Sequence, residues 1–174
     1  MKDVNKDSNC HDSEITVRQA VFADVRSIYS LIKENDDMLI VRSISDVVQH
    51  IDRFLVADSG GELVGAIAFE ILPEVGDVTR TSIELQSVCV KDGWRHRGIG
   101  KRLVEAQIER LRPLKAYQFV VLTFSEKFFE KLGFVEVPKT TMMHKIYMGC
   151  INCTKHESPF TCPEKAMVLH LSED

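Results

Sequence analysis

The chain has 174 residues, of which 44% are hydrophobic and 28% charged, and its formal net charge is −4. This length suits one domain with a sizeable apolar core. The net negative charge does not favour a nucleic-acid partner, and no apolar run approaches the length needed to span a membrane.

The first segment, residues 1–14, is polar and lacks the apolar core of a signal peptide. We therefore expect a flexible N-terminal arm, followed by one domain over residues 15–174. The protein is expected to be cytoplasmic, with its five cysteines mostly reduced.

The first half of the domain predicts one strand and then two helices. Residues 15–18 form the strand, and Asp24 is placed to cap the first helix. That helix has apolar residues at helical spacing, namely Val25, Ile28, Leu31 and Ile32. Residues 39–43 lead into the second helix, whose apolar stripe is Val47, Val48, Ile51 and Phe54. Both helices should bury one face.

The second half predicts strands at 54–57, 63–72, 82–90, 119–122 and 134–137. A hairpin turn containing Gly60 and Gly61 joins the first two of these strands. A helix over 98–112 is stopped by Pro113, and a short helix ends at Gly133. The order β-α-α-β-β-β-α-β-α-β, followed by a tail, predicts a layered α/β domain with a mixed sheet.

The most informative segment, residues 88–104, is a strand end, a basic turn and the start of a helix. Free backbone N–H groups and the positive end of the helix dipole make such a turn an anion site. Gly98 and Gly100 allow close approach of a ligand, and four cations add charge: Arg95, Arg97, Lys101 and Arg102. A solvated surface loop is the alternative. The strand and helix on either side favour a pyrophosphate site.

This turn resembles the acetyl-CoA loop of the GNAT N-acetyltransferases, Arg/Gln-x-x-Gly-x-Gly/Ala, through Arg95, Gly98 and Gly100. The resemblance implies the GNAT fold, a mixed and mostly antiparallel sheet flanked by helices. Its central strands, here at 82–90 and 118–122, splay apart around the acetyl thioester. The residues expected to bind acetyl-CoA are Val88, Cys89, Val90, Arg95, His96, Arg97, Gly98, Ile99, Gly100, Lys101, Phe128 and Phe129.

Further segments resemble the short-form N-acetylglutamate synthases. They include Arg42-Ser43, the run Phe128-Phe129-Glu130-Lys131-Leu132-Gly133-Phe134 and the tail Lys145-Ile146-Tyr147-x-x-Cys150-x-x-Cys153. The resemblance implies transfer of acetyl to the α-amine of L-glutamate, the first step of arginine biosynthesis. The loop at 138–144 matches that family only loosely, so the amine is less defined than the chemistry.

The reaction requires a base, because a protonated amine has no lone pair for attack. Glu84 stands four residues before Val88, where many GNAT enzymes carry a catalytic glutamate; a paired surface glutamate is the alternative. Phe129 occupies the position of their proton-donating tyrosine, so no general acid is assigned. Arg42 and Lys145 are the candidate ligands for substrate carboxylates, with surface cations as the alternative.

The tail contains a possible ligand set for zinc, made of Cys150, Cys153, His156 and Cys162. Reduced cysteines packed in a tail are the favoured interpretation, so we expect no metal. The expected partner is a small-molecule amino acid, with no nucleic acid and no membrane, and a homodimer is left open. Two alternative functions remain: acetylation of another amine (a protein N-terminus, polyamine or drug), or CoA binding for regulation without turnover.

Overall fold

The computed structural model describes residues 14–74, 77–150, 153 and 155–171. The proposed arm therefore lies outside the described residues, except for Glu14. The described chain forms a seven-stranded mixed sheet in the order β1-β2-β3-β4-β5-β7-β6, flanked by helices. All its strand pairs are antiparallel except β4 with β5. The predicted mixed and mostly antiparallel sheet is confirmed.

The first strand and helix follow the prediction closely. β1 covers Ile15–Gln19 and α1 covers Val25–Lys33, and the four apolar residues predicted for the face of α1 are all buried. Asp24 does not cap α1 with its side chain. Its carboxylate instead accepts hydrogen bonds from Arg18 Nη1 at 2.7 Å and from the Val21 N–H at 2.8 Å. Asp24 therefore ties the start of α1 to β1.

The second helix, α2, is shorter than predicted and covers Ile44–Gln49. Ser43 caps it by accepting a hydrogen bond from the Asp46 N–H at 3.0 Å. Val48, predicted as part of the apolar stripe, is exposed, whereas Phe54 is buried beyond the helix end. A 3-10 turn at Ile51–Arg53 redirects the chain between them, so the helical spacing no longer applies there.

The next three strands form a meander. β2 covers Leu55–Ser59 and β3 covers Glu62–Leu72; the turn between them has positive φ at both glycines, as predicted for a two-residue hairpin. β4 covers Ser82–Val90. Gln86 pairs with Ala68 and Cys89 with Ala66, so Ser87 and Val88 together lie opposite one residue of β3. This β-bulge, with Ser87 at φ 52°, bends β4 near its end.

A gap in the sheet opens between β4 and β5. The helix α3 covers Ile99–Leu111 and packs against β2, β3 and β4, and it leads to β5 at Gln118–Thr123. β4 and β5 pair in parallel only from Ser82 to Glu84. Beyond Glu84 the two strands separate, which confirms the predicted splay. The bulge therefore lies on the part of β4 that borders the gap.

The region after β5 contains two elements that were not predicted. α4 covers Glu126–Glu130 and β6 covers Val135–Val137, much as expected. The loosely matching loop contains a helix, α5, at Met143–Met148, and the tail contains a strand, β7, at Lys165–Leu169. β7 lies between β5 and β6 and pairs with both. Within the described residues, no helix is long and apolar enough to cross a bilayer.

Candidate active site

A cleft of about 1120 Å³ follows the gap between β4 and β5. It extends from the basic turn after β4, through the bulge, to α5 and the tail. Every predicted acetyl-CoA residue lines it except Arg97, whose guanidinium lies 4.9 Å from the centre of the Trp94 ring. Glu84, Arg42 and Lys145 line the same cleft. The structure thus places the predicted acetyl-CoA residues and the predicted catalytic and substrate residues along one cleft.

At one end, the cleft meets the N-terminus of α3. Gly98 is the N-cap residue and has φ 77°, and His96 before it has φ 64°. A side chain at Gly98 would meet no atom within 4 Å, so backbone conformation rather than space favours glycine here. Because the first N–H groups of a helix have no partner within it, this end offers donors and a positive dipole to an anion.

The cations near this turn have different roles. Arg95 Nη2 donates to Asn35 Oδ1 at 2.7 Å, and Arg95 Nε lies 3.2 Å from Asp92 Oδ1, so Arg95 fastens the turn to the end of α1. Arg102, counted with the cations of the turn, instead donates to the Ile15 carbonyl at 2.6 Å. Lys101 is largely exposed at the cleft wall. Asn35 was not predicted, because its link to Arg95 spans 60 positions.

The two adjacent phenylalanines of α4 both line the cleft, but Phe129 also belongs to the core. Phe129 is 4% exposed and packs edge-on against Phe134 in the main core. Phe128 lies edge-on to Phe129, and its ring approaches the first turn of α3 at Gly100. Phe128 therefore supplies an apolar wall to the cleft.

At the opposite end, which we call the acceptor end, Glu84 forms a buried ion pair. Its Oε1 lies 2.7 Å from Lys145 Nζ of α5, and both residues are 5% exposed. Its Oε2 accepts a hydrogen bond from the Gln86 amide. Burial raises the pKa of the Glu84 carboxyl above its ordinary value, and Lys145, Gln86 and Arg42 oppose that rise.

Arg42 extends this pair into a chain of polar side chains. Its Nη2 donates to Gln86 Oε1, its Nε donates to Ser87 Oγ at 3.0 Å, and its Nη1 donates to Asp46 Oδ2 at 2.6 Å. Asp46, Gln86 and Ser87 were not predicted. For Gln86 a signal existed, because residues i and i+2 of a strand share a face, and Glu84 precedes it by two.

The cysteines of the tail lie beside the acceptor end. Cys150 lines both the main cleft and a smaller cavity of about 40 Å³, which Cys153, His156 and Cys162 also line. Burial raises the pKa of the Cys150 and Cys162 thiols. Within the described ranges, no three His, Cys, Asp or Glu side chains come together as metal ligands.

Comparisons with known proteins agree with this geometry. Residues 50–136 match the family model for the acetyltransferase (GNAT) domain. An uncharacterized N-acetyltransferase of Chlorobaculum tepidum is 32% identical over 163 residues, covering 91% of this chain and 98% of the relative. An amino-acid acetyltransferase of Mycobacterium tuberculosis is 27% identical over 141 residues, covering 78% of this chain and 77% of the relative.

Solved structures show the same fold. The protein Rv2747 of Mycobacterium tuberculosis, in complex with CoA and a second ligand, superposes with a TM-score of 0.75 at 23% identity, covering 90% of this chain and 99% of that one. N-acetylglutamate synthase of Neisseria gonorrhoeae, with CoA and N-acetyl-glutamate, gives 0.74 at 20% identity, covering 93% and 36%. The chain belongs to the GNAT family and is an acetyltransferase that uses acetyl-CoA.

Proposed function

We propose that this chain transfers acetyl from acetyl-CoA to the α-amine of L-glutamate, as an N-acetylglutamate synthase at the first step of arginine biosynthesis, in the cytoplasm. The observation that carries the proposal is the acceptor end of the cleft. There a buried carboxylate, Glu84, and a guanidinium, Arg42, are joined through one amide, Gln86. Relatives named amino-acid acetyltransferases support the same substrate class.

In this proposal, Glu84 is the base. It removes a proton from the acceptor ammonium, and the free amine then forms the new N–C bond as the thioester C–S bond breaks, after which the nitrogen loses a second proton and the thiolate takes one up from water. Its raised pKa suits this task, because a carboxyl that titrates closer to neutrality accepts a proton more readily. Phe129 cannot protonate the departing thiolate, which is a fairly good leaving group.

The backbone around the bulge is the proposed donor to the carbonyl oxygen. Ser87 and Val88 share one partner residue on β3, so this stretch departs from regular pairing where it borders the gap. We assign the oxyanion contact to the N–H of Val88 or Cys89. The pyrophosphate of acetyl-CoA is assigned to the turn at 95–101, with its helix N-terminus and Lys101.

Arg42 is the proposed ligand of an acceptor carboxylate. Two of its three partners, Gln86 and Ser87, are neutral acceptors. A carboxylate can displace them, because its negative charge adds a Coulomb attraction to the guanidinium that a neutral oxygen lacks. The planar guanidinium also matches both oxygens of a carboxylate.

The charges around Arg42 favour a second candidate acceptor with only one carboxylate, such as glutamine. Lys145, the other cation expected to bind substrate, already contacts Glu84. Glu164 lines the same cleft and adds a negative charge. The side-chain carboxylate of glutamate would have to share Lys145 with Glu84, whereas glutamine makes no such demand.

The test is CoA-thiol release across a panel containing L-glutamate, L-glutamine, other amino acids, a polyamine and a short peptide. Arg42→Ala should raise the acceptor KM at least tenfold, on the order of 1.4 kcal/mol, and leave the acetyl-CoA KM unchanged. Arg42→Lys should rescue poorly. Arg112→Ala, at an exposed arginine paired with Glu109, is the matched control. Faster turnover of glutamine would favour the second candidate, and an amine without a carboxylate turning over fastest would refute both.

A further inference from the structure

Lys145 is almost completely buried and contacts a carboxylate of the protein itself, which binding a substrate carboxylate does not require. Its side chain is 7% exposed, and its Nζ lies 2.7 Å from Glu84 Oε1. Lysine is almost never fully buried unless it is paired, so the ion pair accounts for its position. Lys145 reaches Glu84 from α5, 61 positions further along the chain, which means that the fold itself brings the two charges together.

The residue that ends α5 leaves room for this ammonium. A Cβ atom at Gly149 would lie 2.9 Å from Lys145 Nζ, closer than van der Waals contact allows. Gly149 has φ −131°, which any residue adopts, so its backbone does not require glycine. The space is needed by the lysine head, and because that head is the end of a flexible side chain, filling the space would move the ammonium and leave the backbone in place.

Lys145 is also the cation that dominates the surroundings of Glu84. Arg42, from the segment before α2, is paired with Asp46 and is linked to Glu84 through Gln86. Glu70, opposite Glu84 on β3, is paired with Arg53 at 2.5 Å. Other titratable or polar groups near this pair are Gln86 on β4, Cys150 after α5, Glu164 before β7, and His144 on α5, whose Nδ1 lies 3.8 Å from Glu74. Within the described chain, Lys145 is the cation in contact with Glu84.

We propose that Lys145 is a positioning residue for Glu84: its ammonium, held in the space beside Gly149, orients the carboxylate and keeps it ionised between turnovers. This inference rests on the proposed function, in which Glu84 accepts the proton of the acceptor amine. Without the ammonium, the rise that burial causes in the pKa of Glu84 would be opposed less strongly. A larger fraction of the base would then be protonated at a given pH, and the acidic limb of the rate profile would move to higher pH.

The experiment measures kcat/KM for the acceptor as a function of pH in the full chain. Lys145→Met should move the acidic limb upward by about one pH unit or more, so that at a given pH on this limb the rate falls at least about tenfold and recovers in alkali. Lys145→Arg, which keeps the charge, should return the limb toward its original position. Gly149→Ala should shift it in the same direction as Lys145→Met, by a smaller amount.

The matched control is Lys165→Met. Lys165 forms an ion pair of the same 2.7 Å length with Glu136, but this pair is about half exposed. Its loss should leave the pH profile unchanged. Circular dichroism and acetyl-CoA affinity check that each variant is folded, and Gly149→Ala decides the question if Lys145→Met does not fold.

Two results would overturn the inference in distinguishable ways. An unchanged acidic limb in Lys145→Met or Gly149→Ala, with a raised acceptor KM, would show that Lys145 binds a substrate carboxylate; the proposed function would stand. Full activity in Glu84→Gln would show that the base lies elsewhere, which would remove the role of Glu84 and the inference together.

Discussion

The sharpest test of the acetyl-CoA site is a pair of substitutions at the N-cap of α3, Gly98→Asp and Gly98→Asn. Asn and Asp are the residues that best tolerate positive φ after glycine, and a side chain here meets no neighbouring atom within 4 Å. The two variants are nearly the same size, so backbone strain and bulk cancel between them. Only the charge facing the proposed pyrophosphate site differs.

The expected difference follows from Coulomb's law. Two unit charges about 5 Å apart in a water-like dielectric interact by about 0.8 kcal/mol, and a pyrophosphate carries about two charges. Gly98→Asp should therefore bind acetyl-CoA about 1.5 kcal/mol more weakly than Gly98→Asn, which is a little over tenfold in Kd. Added salt should shrink the difference, because these exposed charges are screened.

Isothermal titration calorimetry with acetyl-CoA measures this difference in affinity. Thermal melts of the two unliganded variants are an independent check, because their stabilities should differ in the opposite direction. A negative charge at a helix N-terminus is favourable, so Gly98→Asp should melt at or above the temperature of Gly98→Asn even though it binds acetyl-CoA less tightly. Equal affinity of the two variants for acetyl-CoA would refute the placement of the pyrophosphate at this turn.

Two further predictions concern the base and the fold. Glu84→Gln should lower kcat roughly a hundredfold, with the deficit narrowing as pH rises, because free amine then forms without a base; unchanged kcat at neutral pH would contradict the assignment. The hydrogen bond from Arg18 lowers the pKa of the Asp24 carboxyl in the folded protein. The Arg18–Asp24 interaction therefore stabilises the fold fully above the ordinary carboxyl pKa, and this stabilisation is lost as pH falls through the lowered pKa. Asp24→Asn should therefore lower Tm at neutral pH. In a melting series toward strong acid, the difference in Tm between the variant and the unsubstituted protein should shrink. A Tm difference that does not depend on pH would exclude the ion pair as its cause.

The sequence predicted the elements whose signals are local. The α1 stripe, the two-glycine hairpin and the strand-turn-helix around Gly98 each depend on residues within one turn or one strand of each other. β7 was not predicted, although Ala166 to Leu169 is an apolar run, because the tail was interpreted by its cysteine spacing. α5 was not predicted because its N-cap residue, Met142, provides no capping side chain.

The residues of the site also divide into those with a local sequence signal and those without one. Arg95, Gly98 and Gly100 lie in one motif and could be read directly, and Glu84 could be placed by its distance along the strand from Val88. Arg42 and Lys145 were also predicted as cations of the site. Their contacts with Gln86 and Glu84, and the contact of Asn35 with Arg95, could not be predicted, because these residues come from elements distant in sequence. The bulge in β4 could not be predicted either, because positive φ is usually signalled by glycine and here the residue with positive φ is Ser87.

The insertion of β7 between β5 and β6 constrains the order in which the chain can assemble. Among the described strands, β6 pairs with β7 alone, so it has no neighbour in that sheet until residues 165–169 have left the ribosome. Until then, the edge of β5 is open, while β1 to β4 and α3 can already pack. A nascent chain stalled before residue 165 should thus hold a formed meander and an unpaired strand edge, a state that invites chaperone binding or aggregation.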